Sequence, residues 1–204
     1  LCAGPAPRMS VLVLDGNQRS ALATVRSLGA RGVRVVAADE TRATLAGASK
    51  YASASAVYPS PYDSPREFAE ALSGIIARHG IELLMPMTEV TTDIILEQRA
   101  HWPQVAAALP TLDTFRLLSD KYRLFQLARE LALPMPHTHF IDTPAQAEAL
   151  ADSLTYPVVL KPYRSRIRVG ARWLSTAVRY AHSAPELRMR VAGEPAFQSH
   201  RFLI

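Results

Sequence analysis

The chain has a single cysteine, Cys2, so no disulfide can form within it and a packed core must hold the fold together. Aromatic residues are sparse, at 7%, which weighs against a surface built to stack nucleic-acid bases. The longest apolar runs, such as Val11 to Leu14 and Val158 to Leu160, are strand-sized. A membrane-spanning helix needs about 18 apolar residues, so no membrane span is predicted and a cytoplasmic location is expected. No GxSxG elbow occurs, which removes the serine-hydrolase arrangement. The six histidines form no spaced cluster with cysteine or carboxylate, since His137 and His139 are two apart and the rest are scattered. A zinc site is therefore not expected. The glycine fingerprint of a dinucleotide site is missing from Asp15-Gly16-Asn17, which argues against NAD.

What is present is ample apolar material. Of 204 residues, 49% are hydrophobic and 20% charged, enough for one large domain or for one domain and part of another. The net charge of +5 is uneven: residues 161 to 204 hold nine Lys or Arg against Glu186 and Glu194, whereas the first 160 residues are slightly acidic. A local positive field suits a phosphate-rich small ligand or a nucleic acid, and charge alone does not choose between them.

Met9 to Asp15 reads as a buried strand ended by a turn, residues 20 to 28 as a helix, and Val33 to Ala38 as a second strand. Such a βαβ unit implies a right-handed crossover and a parallel sheet. The alternation continues through a short strand at 56–58, a helix from Ser64-Pro65 to about His79, a strand at 82–87, a helix at 88–99 and a strand at 105–109. Residues 1–112 are thus expected to form a doubly wound, mostly parallel α/β domain. Residues 113–204 are expected to form a linker helix and an incomplete α+β subdomain. The spacing of Phe115, Leu118, Tyr122, Phe125 and Leu131 predicts one long helix over 114–131, stopped by Pro134 and Pro136. A helix at 143–154 follows, then a strand at 156–163 paired with one at 173–180, a helix at 184–191 and a final strand over 196–204. A strand as the last element would leave an edge unpaired.

Lys161 stands in an apolar strand, where its charge asks for an anion or for a snorkelling route to water. Arg164, Ser165, Arg166, Arg168, Gly170 and Arg172 follow it, a composition suited to a flap over phosphates or to an exposed hairpin loop. Lys121, between Asp120 and Tyr122, is an ordinary surface lysine when taken alone. Asp15 and Asn17 lie at the carboxyl edge of the first strand, the usual binding edge of an open α/β sheet. Thr88 and Glu89 lie at the same edge, although a helix N-cap explains Thr88 equally well.

Together these segments resemble the ATP-grasp superfamily, specifically carbamoyl-phosphate-synthase-like ligases with a preceding Rossmann-like domain. VLVLDGNQRSALATVRSLGARGVRVVAAD is similar to the first βαβ of that domain, LMPMTEVTTDIIL to its later strand and helix, and SDKYRLFQLARELALPMPHT to the lead-in to the fold. YPVVLKP is similar to the lysine-bearing strand. The resemblance implies that Lys121 and Lys161 contact ATP, with Arg164, Ser165 and Gln198 as further ATP-binding residues. Asp15, Asn17, Thr88 and Glu89 would shape the site of a small carboxylate. It implies an ATP-dependent carboxylate–amine or carboxylate–thiol ligase acting through an acylphosphate, and leaves a homodimer open. Two departures stand out: Tyr163 to Arg172 contains only Gly170, and Ser199 stands where the family has an acid after glutamine. The family's magnesium ligands are expected beyond Ile204, so no metal ligand is assigned here and the chain alone is not expected to be active. A non-catalytic nucleotide-binding or scaffold module and an arginine-rich nucleic-acid binder are the alternative readings.

Overall fold

The computed structural model describes residues 9–170 and 172–204; residues 1–8, which include Cys2, Ala171 and the Arg172 side chain lie outside the described residues. The chain divides into two compact units. One takes in the described residues up to Leu112 together with Val169–Trp173, and the other Asp113–Arg168 with Leu174–Ile204.

The first unit runs β1 (Ser10–Val13), α1 (Arg19–Gly29), β2 (Arg34–Asp39), β3 (Ala54–Val57), α2 (Pro65–His79), β4 (Leu83–Met85), α3 (Glu89–Glu97) and β5 (Ala106–Ala107). All neighbouring strands pair in parallel, in the order β3-β2-β1-β4-β5. Strand alternation explains why helices cover both faces. Leu12, Leu14, Val36 and Ala38 point into a cluster with Phe68, Leu72, Ile75 and Ile76 of α2 and Ile94 and Ile95 of α3. Val11, Val13, Val35 and Ala37 point the other way, onto Ala21 and Val25 of α1. A parallel strand buried on both faces must be apolar at every position, as β1 and β2 nearly are. The α2 helix starts where Pro65 presets its φ and stops at Gly80, whose φ of +58° is left-handed. The first cluster also receives Trp102, whose indole nitrogen donates to Ser73 Oγ at 2.8 Å, and Trp173, whose backbone N–H donates to Tyr62 O at 3.1 Å.

The second unit contains α4 (Leu112–Ser119), α5 (Lys121–Glu130), β6 (Phe140–Ile141), α6 (Pro144–Leu150), β7 (Val158–Pro162), β8 (Arg166–Val169), β9 (Arg172–Ser175), β10 (Arg179–Ala181), α7 (Ala184–Gly193), α8 (Pro195–Ser199) and β11 (Phe202–Leu203), with α4 and the β8–β9 pair reaching its limits. Its main sheet is antiparallel, in the order β10-β7-β11-β6, while β8 and β9 form a separate two-stranded ribbon. One face of the main sheet buries Ile141, Leu160, Ala181 and Phe202 against Ala147, Leu187, Val191 and Phe197.

Several expectations fail in this unit. The long helix over 114–131 is two helices, because Asp120 leaves helical geometry (φ −90°, ψ 99°) and its carboxylate accepts the Arg123 N–H at 3.0 Å. An N-cap of this kind ends one helix and starts the next. The strand over 173–180 is likewise two. Thr176 breaks it by donating its N–H to Ser165 O at 3.1 Å and its hydroxyl to Arg164 O at 2.6 Å, so β9 joins β8 and only β10 pairs with β7. The final strand over 196–204 shrinks to Phe202–Leu203, for Pro195 opens α8 over its first half and Phe197 packs on Phe202 with ring centroids 4.8 Å apart. The last strand is also no open edge, since β11 lies between β7 and β6.

Candidate functional site

In the second unit, Val159 and Lys161 of β7 face away from buried Leu160 and line a cavity of about 670 Å³. Phe125 of α5, Leu203 and Ile204 supply further apolar wall, and His137 and His139 stand on it with ring centroids 4.8 Å apart. No carboxylate side chain lines this cavity. The Lys161 ammonium sits 6.0 Å from the Phe125 ring centroid, at the outer limit of a cation–π contact. Such an arrangement suits a flat apolar group that carries an anion toward Lys161.

Lys121 opens α5. Its N–H donates to Tyr163 O at 2.7 Å and its ammonium to Ser165 Oγ at 3.0 Å, so the helix start is tied to the segment that leaves the Lys161 strand. Asp120 fixes that helix start from below: one carboxylate oxygen caps α5 and the other accepts from Arg201 at 2.6 Å. The Arg201 guanidinium in turn lies over the Tyr122 and Tyr163 rings, 4.8 and 5.5 Å from their centroids. With the Lys121 and Arg123 N–H groups taken by Tyr163 O and Asp120, the positive charge this helix start offers is the Lys121 ammonium. The structure therefore brings Lys121, Ser165 and the end of the Lys161 strand together. Arg164 is half-buried beside them, its carbonyl taken by Thr176. Gln198 is placed elsewhere: it lies on α8 and donates to Val191 O at 2.7 Å, closing the end of α7. Sequence reasoning missed Asp120, Tyr163 and Arg201. Asp120 carried a signal, a capping residue directly before a helical run, whereas Arg201 lies 81 positions away and carried none.

In the first unit the strand order reverses at β1, where open α/β sheets bind ligands beyond the strand ends. Asp15 sits there with a left-handed φ of 58°. Its carboxylate accepts the Met87 N–H at 2.8 Å and the Thr91 hydroxyl at 2.7 Å, while its own N–H donates to the Tyr58 hydroxyl at 2.9 Å. Burial holds the Asp15 carboxyl above its ordinary range in spite of these donors, and burial beside Asp15 also raises the Tyr58 phenol. Thr88 caps α3 and shares a 3.0 Å hydroxyl contact with Thr91, and Glu89 is the half-buried first residue of that helix. Asn17 does something different. Its N–H donates to Asp39 at 2.8 Å, its amide to Thr41 at 3.3 Å, and its oxygen accepts the Leu45 N–H at 3.3 Å, which braces the loop after β2. Tyr58 and Thr91 complete the Asp15 network and were not foreseen, since they lie 43 and 76 positions away.

Among the described residues, no group of three or more His, Cys, Asp or Glu could hold a metal ion, and no helix is long and apolar enough to cross a membrane. No family model matches the sequence, and no curated protein matches it. Solved structures do. An L-amino acid ligase from Bacillus licheniformis superposes with a TM-score of 0.68 at 12% identity, over 98% of this chain and 44% of that one. Biotin carboxylase from Campylobacter jejuni, in a β,γ-ATP complex, gives 0.65 at 17% identity over 95% of this chain and 44% of its own. N5-carboxyaminoimidazole synthetase from Staphylococcus aureus, complexed with ADP, gives 0.64 at 10% identity over 96% and 45%. The chain thus spans less than half the length of each of these proteins, and within that span it has the fold of the ATP-grasp ligases.

Proposed function

We propose that this chain supplies the first nucleotide-binding elements of an ATP-dependent ligase that joins a small carboxylate to an amine or thiol. The observation that carries the reading is Lys161 on the wall of a cavity with an apolar side formed by Phe125, Val159 and Leu203, with Lys121 and Ser165 clamped at the end of the same strand. The apolar wall would take the adenine. Lys161 and Lys121 would neutralise phosphate charge, and Ser165 and Arg164 would close over it from the connecting segment. ATP, when bound, supplies the phosphoryl group that turns a carboxylate into an acylphosphate, ADP leaving; attack by the amine or thiol on the acyl carbon then releases phosphate. Magnesium is assigned no ligand here, because the described residues offer no cluster for it. In the first unit, Asp15, Thr88 and Glu89 would border the carboxylate substrate, with Asn17 holding the adjoining loop.

The nucleic-acid alternative is weakened by ion pairing. Of the cations in residues 161–204, Arg188 and Arg201 pair with carboxylates from outside that segment, Glu148 and Asp152 for the first and Asp120 for the second, which leaves a weaker field than the segment's composition suggests.

Calorimetric titration with MgATP at two salt concentrations tests the proposal. Saturable binding weakened about 10- to 100-fold by Lys161→Ala is expected, the loss of one charge-assisted contact. Binding that ignores the substitution, or that follows salt alone with no preference over other polyanions, would overturn it.

A further inference from the structure

A second cavity, of about 540 Å³, lies in the first unit between α1 and the loop after β2. Its floor is built rather than loose. The Ala46 N–H donates to Gly16 O at 2.9 Å, the Gly47 N–H to Thr44 Oγ1 at 2.9 Å, and Leu45 is held by Asn17. Thr44 and Ala46 are buried, and a Cβ added at Gly16 or Gly47 would come within 2.9 or 2.8 Å of Thr44 Oγ1. The two glycines therefore allow the β1–α1 turn and the loop to close on Thr44.

Arg26 of α1 and Arg42 of the loop stand on this braced floor, beside the hydroxyl of Ser49. No carboxylate lines the cavity, for Asp39 is engaged with the backbone amides of Asn17 and Glu40. Among the described residues, neither guanidinium has a hydrogen-bond or ion-pair partner. Four other arginines of this unit are occupied: Arg31 donates to Ser27, Arg34 to His79 O, Arg66 to Glu70 and Arg99 to Trp102 O, while the exposed Arg19 and Arg78 line no cavity with a second cation. Two like charges on one concave surface repel, and an anion between them relieves that repulsion while accepting forked hydrogen bonds.

We infer that this cavity is an anion site, taking the phosphate or carboxylate group of a small ligand between Arg26 and Arg42. The site stands apart from the nucleotide reading, since it uses none of the lysines. Inorganic pyrophosphate and citrate, titrated separately into the whole chain by calorimetry, distinguish the two chemistries. Saturable binding of at least one probe is expected, weakened tenfold or more by Arg26→Gln and by Arg42→Gln and unchanged by Arg78→Gln, an exposed arginine outside the cavity. Both arginines are exposed, so circular dichroism of the variants should match the parent. No saturation by either probe up to about 10 mM, binding that survives both arginine substitutions, or an equal loss with Arg78→Gln would each overturn the assignment.

Discussion

Asp120 performs two tasks that substitution can separate. Its side chain is 7% exposed, caps α5 through one oxygen and pairs with Arg201 through the other. Losing an N-cap costs about 1 kcal/mol. The ion pair is worth about 1 kcal/mol more, because Arg201, with its side chain 37% exposed and stacked on two tyrosines, stays partly solvated when the carboxylate is removed. Asp120→Ala should therefore destabilise the second unit by about 2 kcal/mol, and Asp120→Asn, which keeps a good cap, by about half of that. Urea unfolding provides the assay, with an internal control. Trp102 packs in the core of the first unit, so in a Trp173→Phe background, which removes the tryptophan on the β8–β9 ribbon, fluorescence reports that unit while far-ultraviolet circular dichroism reports both. The variants should shift the dichroism transition and leave the fluorescence transition in place. Asp120→Asn costing as much as Asp120→Ala would refute the separation, and a change under about 0.5 kcal/mol for Asp120→Ala would refute the reasoning altogether.

Asp15→Asn keeps an oxygen for Met87 and Thr91 and removes a buried charge. A carboxyl raised in the folded state lends stability that is fully present below its unfolded value and lost as pH rises through the folded one. Wild type should accordingly gain on the Asn variant as pH falls from about 7 to about 4, as followed by urea midpoints. Gly74→Ala, in open space within α2, should stabilise by about 0.5–1 kcal/mol. Gly29→Ala should destabilise by about 1–3 kcal/mol, because the new methyl would come within 2.5 Å of Tyr51 O, and thermal melts of the two variants should move in opposite directions. Tyr58→Phe removes the acceptor of the buried Asp15 N–H and should cost about 1–3 kcal/mol in the same melts.

The first unit was legible because its local and global rules agree. Apolar runs of strand length alternate with capped helices, and Pro65 and Gly80 mark α2 at both ends. The second unit was harder where two rules conflict. Phe115, Leu118, Tyr122 and Phe125 keep helical phase across Asp120, so periodicity runs straight through a break that only capping chemistry reveals. Trp173 to Tyr180 has continuous strand propensity, and its division depends on hydrogen bonds from Thr176 to residues 164 and 165, which no local pattern encodes. The lysine strand was found because a charge in an apolar run stands out. The Asp15 and Asp120 networks were missed because their partners lie 76 and 81 positions away.

The central place of β7 between β10 and β11 limits how this sequence can change length. Its pairing fixes Leu160 opposite Arg179 and Lys161 opposite Leu203 at the same time. Removing one residue within the strand would turn the ammonium toward the core and a leucine toward the cavity, or else break both pairings together. Gains and losses of residues should therefore accumulate in the connection after β6 or beyond β10 and be purged from 158–162, where a single codon deletion acts as two simultaneous substitutions of opposite polarity.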